Sequence, residues 1–178
     1  MKLRTPVVLT ATATAAALLL PGSAGASADR VRAAGPLVRY DTTLVPEGAT
    51  ARVQAVASAS GATVFTLHVK GLVAYRTYGA HVHVQACGPV PSDAGPHYQD
   101  RVAPAGQSAN PTFANPYNEV WLDLTTDDDG NGSAQSRVDW QTRSGGANSV
   151  ILHASQTSTG QTTSGTAGPR VGCLTAAF

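Results

Sequence analysis

The feature that most restricts the fold is a two-residue alternation of apolar and polar side chains in short segments separated by turns. In ATVFTLHV at 62–69, Phe65 and Leu67 lie on one face and His68 on the other. Such alternation is typical of a strand with one buried face. Because no segment carries a 3.6-residue apolar repeat, the sequence predicts an all-β sandwich or barrel. Eight strands are predicted, over residues 37–45, 51–57, 62–69, 79–84, 119–125, 133–140, 149–153 and 171–176.

One long stretch interrupts the strands. Residues 85–118 are rich in Gly, Pro, Ser, Asn and Asp and show no clear strand pattern. A loop of that length without secondary structure is usually either functional or disordered. This one contains Cys87 and His97, which favours an ordered loop with a function.

The chain begins with the pattern of an export signal. Two basic residues precede an uncharged run over residues 7–20, and small residues in Ala-x-Ala spacing follow at 24–28. This is the layout of a cleavable signal peptide, with an uncleaved membrane anchor as the alternative, and the run is short for a membrane span. We therefore expect a signal peptide over residues 1–28, a short extension over 29–36, and a secreted or periplasm-like domain over 37–178 without a stable membrane anchor.

Export changes the interpretation of the two cysteines. Cys87 and Cys173 would lie in an oxidising compartment, where an even pair most simply forms one disulfide. Neither has a C-x-x-C partner, which counts against a metal or redox role. A structural bridge is the favoured prediction.

The charge of the chain is nearly balanced. The 12 Lys and Arg stand against 11 Asp and Glu. A near-neutral chain does not attract a polyanion through its bulk charge, so a nucleic-acid partner is not expected. The sequence indicates no oligomeric state.

Four of the five histidines suggest metal binding. His81 and His83 are two residues apart, so in a strand both rings point to one face, toward either a metal or solvent. His153 ends the apolar run SVILH, and His97 lies in the long loop. Several imidazoles without a free thiolate suit copper or zinc, and tetragonal nitrogen ligation favours Cu(II).

Together these residues resemble the copper/zinc superoxide dismutases. The resemblance rests on G-A-H-V-H-V at 79–84, the Cys at 87, A-G-P-H at 94–97, L-H at 152–153 and G-T-A-G-P-R-V-G-C at 165–173. It extends over roughly residues 37–173. It implies an eight-stranded Greek-key β-barrel with a long loop pinned by a disulfide between Cys87 and Cys173.

The resemblance also implies roles for individual residues. It implies that Arg170 holds the superoxide anion beside the metal and that one histidine, His97, also delivers a proton. It implies four copper ligands, His81, His83, His97 and His153.

The chain departs from the family at the zinc site. No histidine occurs between His97 and His153, and the loop from His153 to Arg170 contains no carboxylate. Zinc is therefore not expected, and the chain resembles the zinc-lacking, copper-only branch. Another group must then orient His97 through its second ring nitrogen. We predict Glu119 as that acceptor, with Asp123 in reserve; the alternative is that both are solvated surface carboxylates.

The resulting prediction is an exported superoxide dismutase that acts on a small anion at a single copper without a normal zinc site. The alternative is a non-enzymatic copper-binding or copper-buffering protein on the same fold. Carriers of Cu(I) usually use Cys or Met ligands, and here the only Met is Met1. The presence of both His97 and Arg170 favours catalysis, because storage needs neither a proton donor nor an anion guide.

Overall fold

The structure, a computed structural model, describes residues 1–2 and 30–178. Most of the predicted signal peptide, residues 3–28, lies outside the described residues. The described part of the chain forms nine strands and one short 3₁₀-helix, Pro91–Ala94. The strands are β1 (Arg30–Pro36), β2 (Val38–Arg39), β3 (Thr50–Ala57), β4 (Thr63–Lys70), β5 (Thr77–His83), β6 (Leu124–Thr125), β7 (Gly132–Val138), β8 (Ser149–His153) and β9 (Arg170–Thr175).

The strands form two antiparallel sheets. One has the order β1-β3-β4-β7 and the other the order β2-β9-β8-β5-β6. Strand β7 returns beside β4 after the chain has passed through β5 and β6 in the other sheet, which is a Greek-key connection. The predicted all-β fold is confirmed as a sandwich of these sheets. They do not close into a barrel in the described residues, because the edge strands β2 and β6 are two residues each and too short to continue the hydrogen-bond ladder.

Strand β1 was not expected from the sequence, which suggested only a short extension at residues 29–36. It pairs with β3 along its whole length, from Arg30 opposite Val56 to Pro36 opposite Thr50. Its inward side chains are only Val31 and Ala33, and both are only partly buried. The alternation is therefore present but weak. The described part of the extension belongs to the domain.

Two predicted strands are shorter in the structure than in the sequence pattern. Of residues 37–45, only β2 is a strand, because the Asp41 carboxylate accepts hydrogen bonds from the amides of Thr43 (2.8 Å) and Leu44 (3.1 Å) and closes a turn. Of residues 119–125, only β6 is a regular strand. The residues before it form isolated bridges to the long loop and to β5.

The core explains how β5 presents its histidines. Val53, Phe65 and Leu67 fill the space between the sheets and are fully buried. Strand β5 is buried on both faces, since Ala80 and Val82 belong to this core and the alternate residues face away from it. The second face of β5 is covered by the long loop.

The predicted disulfide between Cys87 and Cys173 is present, with the two Cα atoms 5.8 Å apart. It joins the long loop to β9. Further along, the loop makes single bridges from His97 to β5 and from Gln99 to Glu119. The first half of the loop is therefore attached to the outer face of the five-stranded sheet at Cys87 and His97, and Gln99 joins it to the segment before β6. No helix in the described residues has the length and apolar character needed to cross a membrane.

Candidate metal centre

Four histidines meet on the outer face of the five-stranded sheet. Strand β5 supplies His81 and His83, the end of β8 supplies His153, and the long loop supplies His97. One nitrogen from each ring lies within 4.8 Å of the others. In the described part of the chain this is the one cluster of three or more potential metal ligands. The structure thus brings together the four histidines that the sequence singled out, and it leaves His68 half-buried on the outward side of β4.

The pairing of β5 with β8 accounts for two of these positions. His81 lies opposite Ile151, and His153 lies opposite Gly79. The two histidines are therefore diagonal neighbours on one face, with ring centroids 4.8 Å apart. Gly79 leaves room there, because a Cβ at this position would lie 2.6 Å from the Ala167 side chain.

Two rings are fixed by backbone carbonyls. His83 Nδ1 is 2.9 Å from the Gly95 oxygen, and His153 Nδ1 is 3.1 Å from the Gly168 oxygen. Because a carbonyl only accepts, each Nδ1 carries the proton and each Nε2 keeps a free lone pair. Both Nε2 atoms are buried and have no hydrogen-bond partner.

The third ring is fixed by a side-chain relay. The Thr157 hydroxyl donates to Asp123 Oδ1 (2.5 Å), so its oxygen accepts from His81 Nε2, 2.7 Å away. The Thr157 amide and the Ala80 amide also donate to the Asp123 carboxylate. His81 Nδ1 is left buried without a partner. Asp123 therefore positions His81 through Thr157. Its predicted reserve role toward His97 is wrong, because His97 Nδ1 bonds Glu119 instead.

The fourth ring is held by Glu119, the acceptor expected from the sequence. Glu119 is 1% exposed, so it is not a solvated surface carboxylate. Its Oε2 accepts from His97 Nδ1 (3.0 Å) and Trp121 Nε1 (2.7 Å), and its Oε1 accepts from Gln99 Nε2 (2.8 Å). His97 Nε2 is then the nitrogen available to the cluster, and this ring is the one partly open to solvent.

Arg170 begins β9 beside this cluster. Its guanidinium donates to the carbonyls of Pro91 (2.7 Å) and Gly95 (2.6 Å). Together with His97 and His153 it lines a cavity of about 440 Å³. A cation fixed by the long loop therefore stands at the cavity next to the ring nitrogens.

Several residues that build the site were not found from the sequence, namely Thr157, Gln99, Trp121, Gly95 and Gly168. One signal could have identified the two glycines. Each is the middle residue of an Ala-Gly-Pro tripeptide, at 94–96 and 167–169, and each has a positive φ, +69° and +75°. The carbonyls that fix the two rings thus come from conformations that favour glycine.

Replacing Gly95 by Ala is expected to lower the free energy of unfolding by about 1–3 kcal/mol, since the backbone conformation here is unfavourable for other residues. The added Cβ would also lie 2.7 Å from Val84 Cγ2. The matched control is Gly106→Ala, in the same loop with φ +77° and open space around it. Denaturant unfolding of both variants measures the difference. Both positions have a positive φ, so the backbone cost is common to the two variants and the difference between them reports the contact with Val84. Equal losses would mean that this contact adds nothing to the backbone cost.

Burial sets the protonation of the clustered rings. Desolvation lowers the pKa of His81 well below its ordinary value, that of His83 to about 2 and that of His153 to about 4. The neighbouring His97 lowers the pKa of all three rings further. The three rings are therefore neutral at pH 7, and their free lone pairs do not have to lose a proton before binding a metal.

The same pKa shifts predict how the metal-free protein responds to acid. Below pH 6.5 these histidines bind protons in the unfolded chain but not in the folded one, where they are buried. The free energy of unfolding therefore has its full value above pH 6.5 and falls on acidification. His83 and His153 should each remove about 2 kcal/mol between pH 7 and 5. Denaturant unfolding in a chelator measures this. His153→Gln should reduce the dependence and His68→Gln should not; an unchanged stability at pH 5 would contradict it.

Comparison with known proteins supports the fold and nothing further. No family model matches the sequence, and no curated protein matches it. Among solved structures, the crystal structure of the clock protein EA4 is similar, with a TM-score of 0.56 and 15% sequence identity. The match covers 83% of this chain and 92% of that chain. At this identity the likeness shows the fold alone.

Proposed function

We propose that the protein is an exported superoxide dismutase that works with a single copper and no zinc. The observation that carries this proposal is the set of ring nitrogens. The buried nitrogens of His81, His83 and His153 have no partner and face one point together with His97, while each second nitrogen is fixed. Four imidazoles are a donor set that suits Cu(II) and not Mg²⁺ or Ca²⁺.

The absence of zinc is part of the proposal. Glu119 already accepts the hydrogen bond from His97 Nδ1, the nitrogen that would otherwise be free for a second metal. The described residues hold no further cluster of three metal-ligating side chains. Export is supported by the signal-peptide pattern and by the disulfide, which persists in oxidising compartments.

The residues around the cluster suit a small anion. Held by His81, His83, His97 and His153, a copper ion would supply one-electron redox chemistry, by which two superoxide anions and two protons would give O₂ and H₂O₂. Arg170 attracts the anion to the cavity that His97 and His153 line. The partly exposed His97 would deliver a proton from Nε2 in the part of the cycle in which that nitrogen does not hold the metal, while its Nδ1 stays bonded to Glu119.

Copper reconstitution tests the proposal. The mature protein, stripped with a chelator, should bind one Cu(II) with an electron paramagnetic resonance spectrum of nitrogen ligation. It should then accelerate superoxide decay in a direct stopped-flow assay, and added zinc should change neither result. The control is His68→Gln, which removes a histidine outside the cluster. Tight copper binding without catalysed decay would contradict the enzyme and indicate a copper-buffering protein.

A further inference from the structure

The outer face of the four-stranded sheet is strongly basic. None of its strands, β1, β3, β4 and β7, contains Asp or Glu. The exposed cations on this face are Arg30, Arg32, Arg52, Lys70 and Arg137. The whole chain has 12 Lys and Arg and 11 Asp and Glu, so its net charge is close to zero. The net charge therefore does not reveal that positive charges are concentrated on this face.

Strand register places four of these cations in a line. Arg30 and Arg32 are two residues apart in β1. Arg32 lies opposite Gln54, two residues from Arg52, and Arg52 lies opposite His68, two residues from Lys70. Neighbours of this kind are about 7–8 Å apart. We call the diagonal of Arg30, Arg32, Arg52 and Lys70 the cationic strip.

The cationic strip lacks acidic partners. Among the described residues, none of its four side chains forms a salt bridge, whereas Arg137, at the far side of the sheet, pairs with Asp139 at 2.9 Å. Charges on an edge strand can serve to prevent sheet-to-sheet pairing. That explanation covers Arg30 and Arg32 in β1, but Arg52 and Lys70 belong to the two central strands. The strip is therefore more than protection of an edge.

We propose that the cationic strip binds a linear anionic polysaccharide. An extended polymer with regularly spaced carboxylates or sulfates matches a line of evenly spaced cations. Gln54, which accepts a hydrogen bond from Arg32, and Thr66 lie beside the strip on the same face and offer amide and hydroxyl groups to sugar hydroxyls. The strip is independent of the proposed activity, and it lies on the sheet opposite the histidine cluster. A protein bound through it would keep the metal cavity open.

Two other polyanions fit this face less well. Single-stranded nucleic acids bind by stacking bases on aromatic side chains, and the four strands expose none on this face. Membrane-surface proteins insert apolar side chains, and the large exposed apolar residues of the described chain lie outside these strands. Binding to a nucleic acid or to a membrane surface is therefore the competing outcome of the test.

The test measures how strongly the copper-loaded full mature protein binds heparin, which serves as the probe polysaccharide. The wild type should stay on a heparin column at about 0.15 M salt, where screening acts over about 8 Å. Arg32→Gln/Arg52→Gln should weaken binding by roughly tenfold or more and reduce the slope of log affinity against log salt by about 1.5–2. Vesicles of anionic phospholipid and single-stranded DNA are the other two ligands.

Two single variants of equal charge separate the strip from bulk charge. Arg52→Gln removes a cation of the strip, and Arg39→Gln removes an exposed cation of β2 in the other sheet. Only the first should elute earlier from heparin, with superoxide decay and thermal unfolding unchanged in both. Equal shifts for both variants, elution of the wild type below 0.15 M salt (about the physiological value), or tighter binding to vesicles or DNA would each overturn the proposal.

Discussion

Replacing His83 by Ala is expected to weaken Cu(II) binding by roughly a thousandfold or more, beyond the roughly 10–100-fold cost of losing an outer partner of a ligand. His83 is fully buried, and its Nε2 faces the cluster without a hydrogen-bond partner. Alanine removes this donor and leaves three. Catalysed superoxide decay should disappear at stoichiometric copper, as measured by competition with a calibrated chelator and by stopped flow.

The control for this variant is His68→Ala. Both residues are strand histidines with alternating neighbours, but His68 lies on the outward face of β4. It should bind copper and react as the wild type does. Because His83→Ala also opens a cavity, added imidazole should fill that space and restore part of the copper binding. A variant that keeps copper affinity within tenfold of wild type would show that His83 is not a ligand.

The sequence could predict the position of His83 in the cluster because strand parity is local. His81 and His83 alternate with two valines, so one face of β5 had to carry both rings whichever sheet it joined. Glu119 was found in the same way, from its parity in NEVWLDL. The cysteine pair followed from the export pattern. Each of these inferences needs only neighbouring residues or composition, and the structure places the side chains accordingly.

What the sequence could not predict depends on contacts between distant segments. Thr157 fixes His81 only because the loop after β8 folds onto Asp123, 34 residues earlier in the chain. The Gly95 carbonyl meets His83 and Arg170 through the path of the long loop. Neither residue has a local pattern that specifies its partner. Strand β1 was missed for a related reason, since its weak alternation becomes a strand only by pairing with β3.

Replacing Glu119 by Gln is expected to weaken copper binding and slow superoxide decay by roughly 10–100-fold. The carboxylate accepts three N–H groups, from His97, Trp121 and Gln99. A glutamine has one oxygen for them, and its NH₂ must face a donor. Gln99 cannot turn its amide without cost, because its Oε1 already accepts from the Ala103 amide. One buried donor is left unsatisfied, and His97 loses the negative charge that strengthens it as a ligand.

Two controls separate the charge from general disruption. Glu47→Gln makes the same change at an exposed position and should leave both measurements unchanged. Asp123→Asn disturbs the Thr157 relay, so its effect should fall on His81 and add to that of Glu119→Gln in the double variant. Unfolding of each metal-free variant shows whether the fold persists. Copper affinity and rate equal to those of Glu47→Gln would rule out a role for Glu119 in holding His97.

Trp121→Phe identifies which property of Glu119 matters. The indole N–H shares Oε2 with His97 Nδ1, so phenylalanine removes one donor and leaves the carboxylate charge in place. The remaining hydrogen bond from His97 then has that oxygen to itself. Copper affinity should stay within a few-fold of wild type, far above that of Glu119→Gln. Equal losses of affinity in both variants would show that the charge of Glu119 does not hold the cluster. The packing of the Trp121 indole against His81, with ring centroids 6.1 Å apart, would then hold it instead.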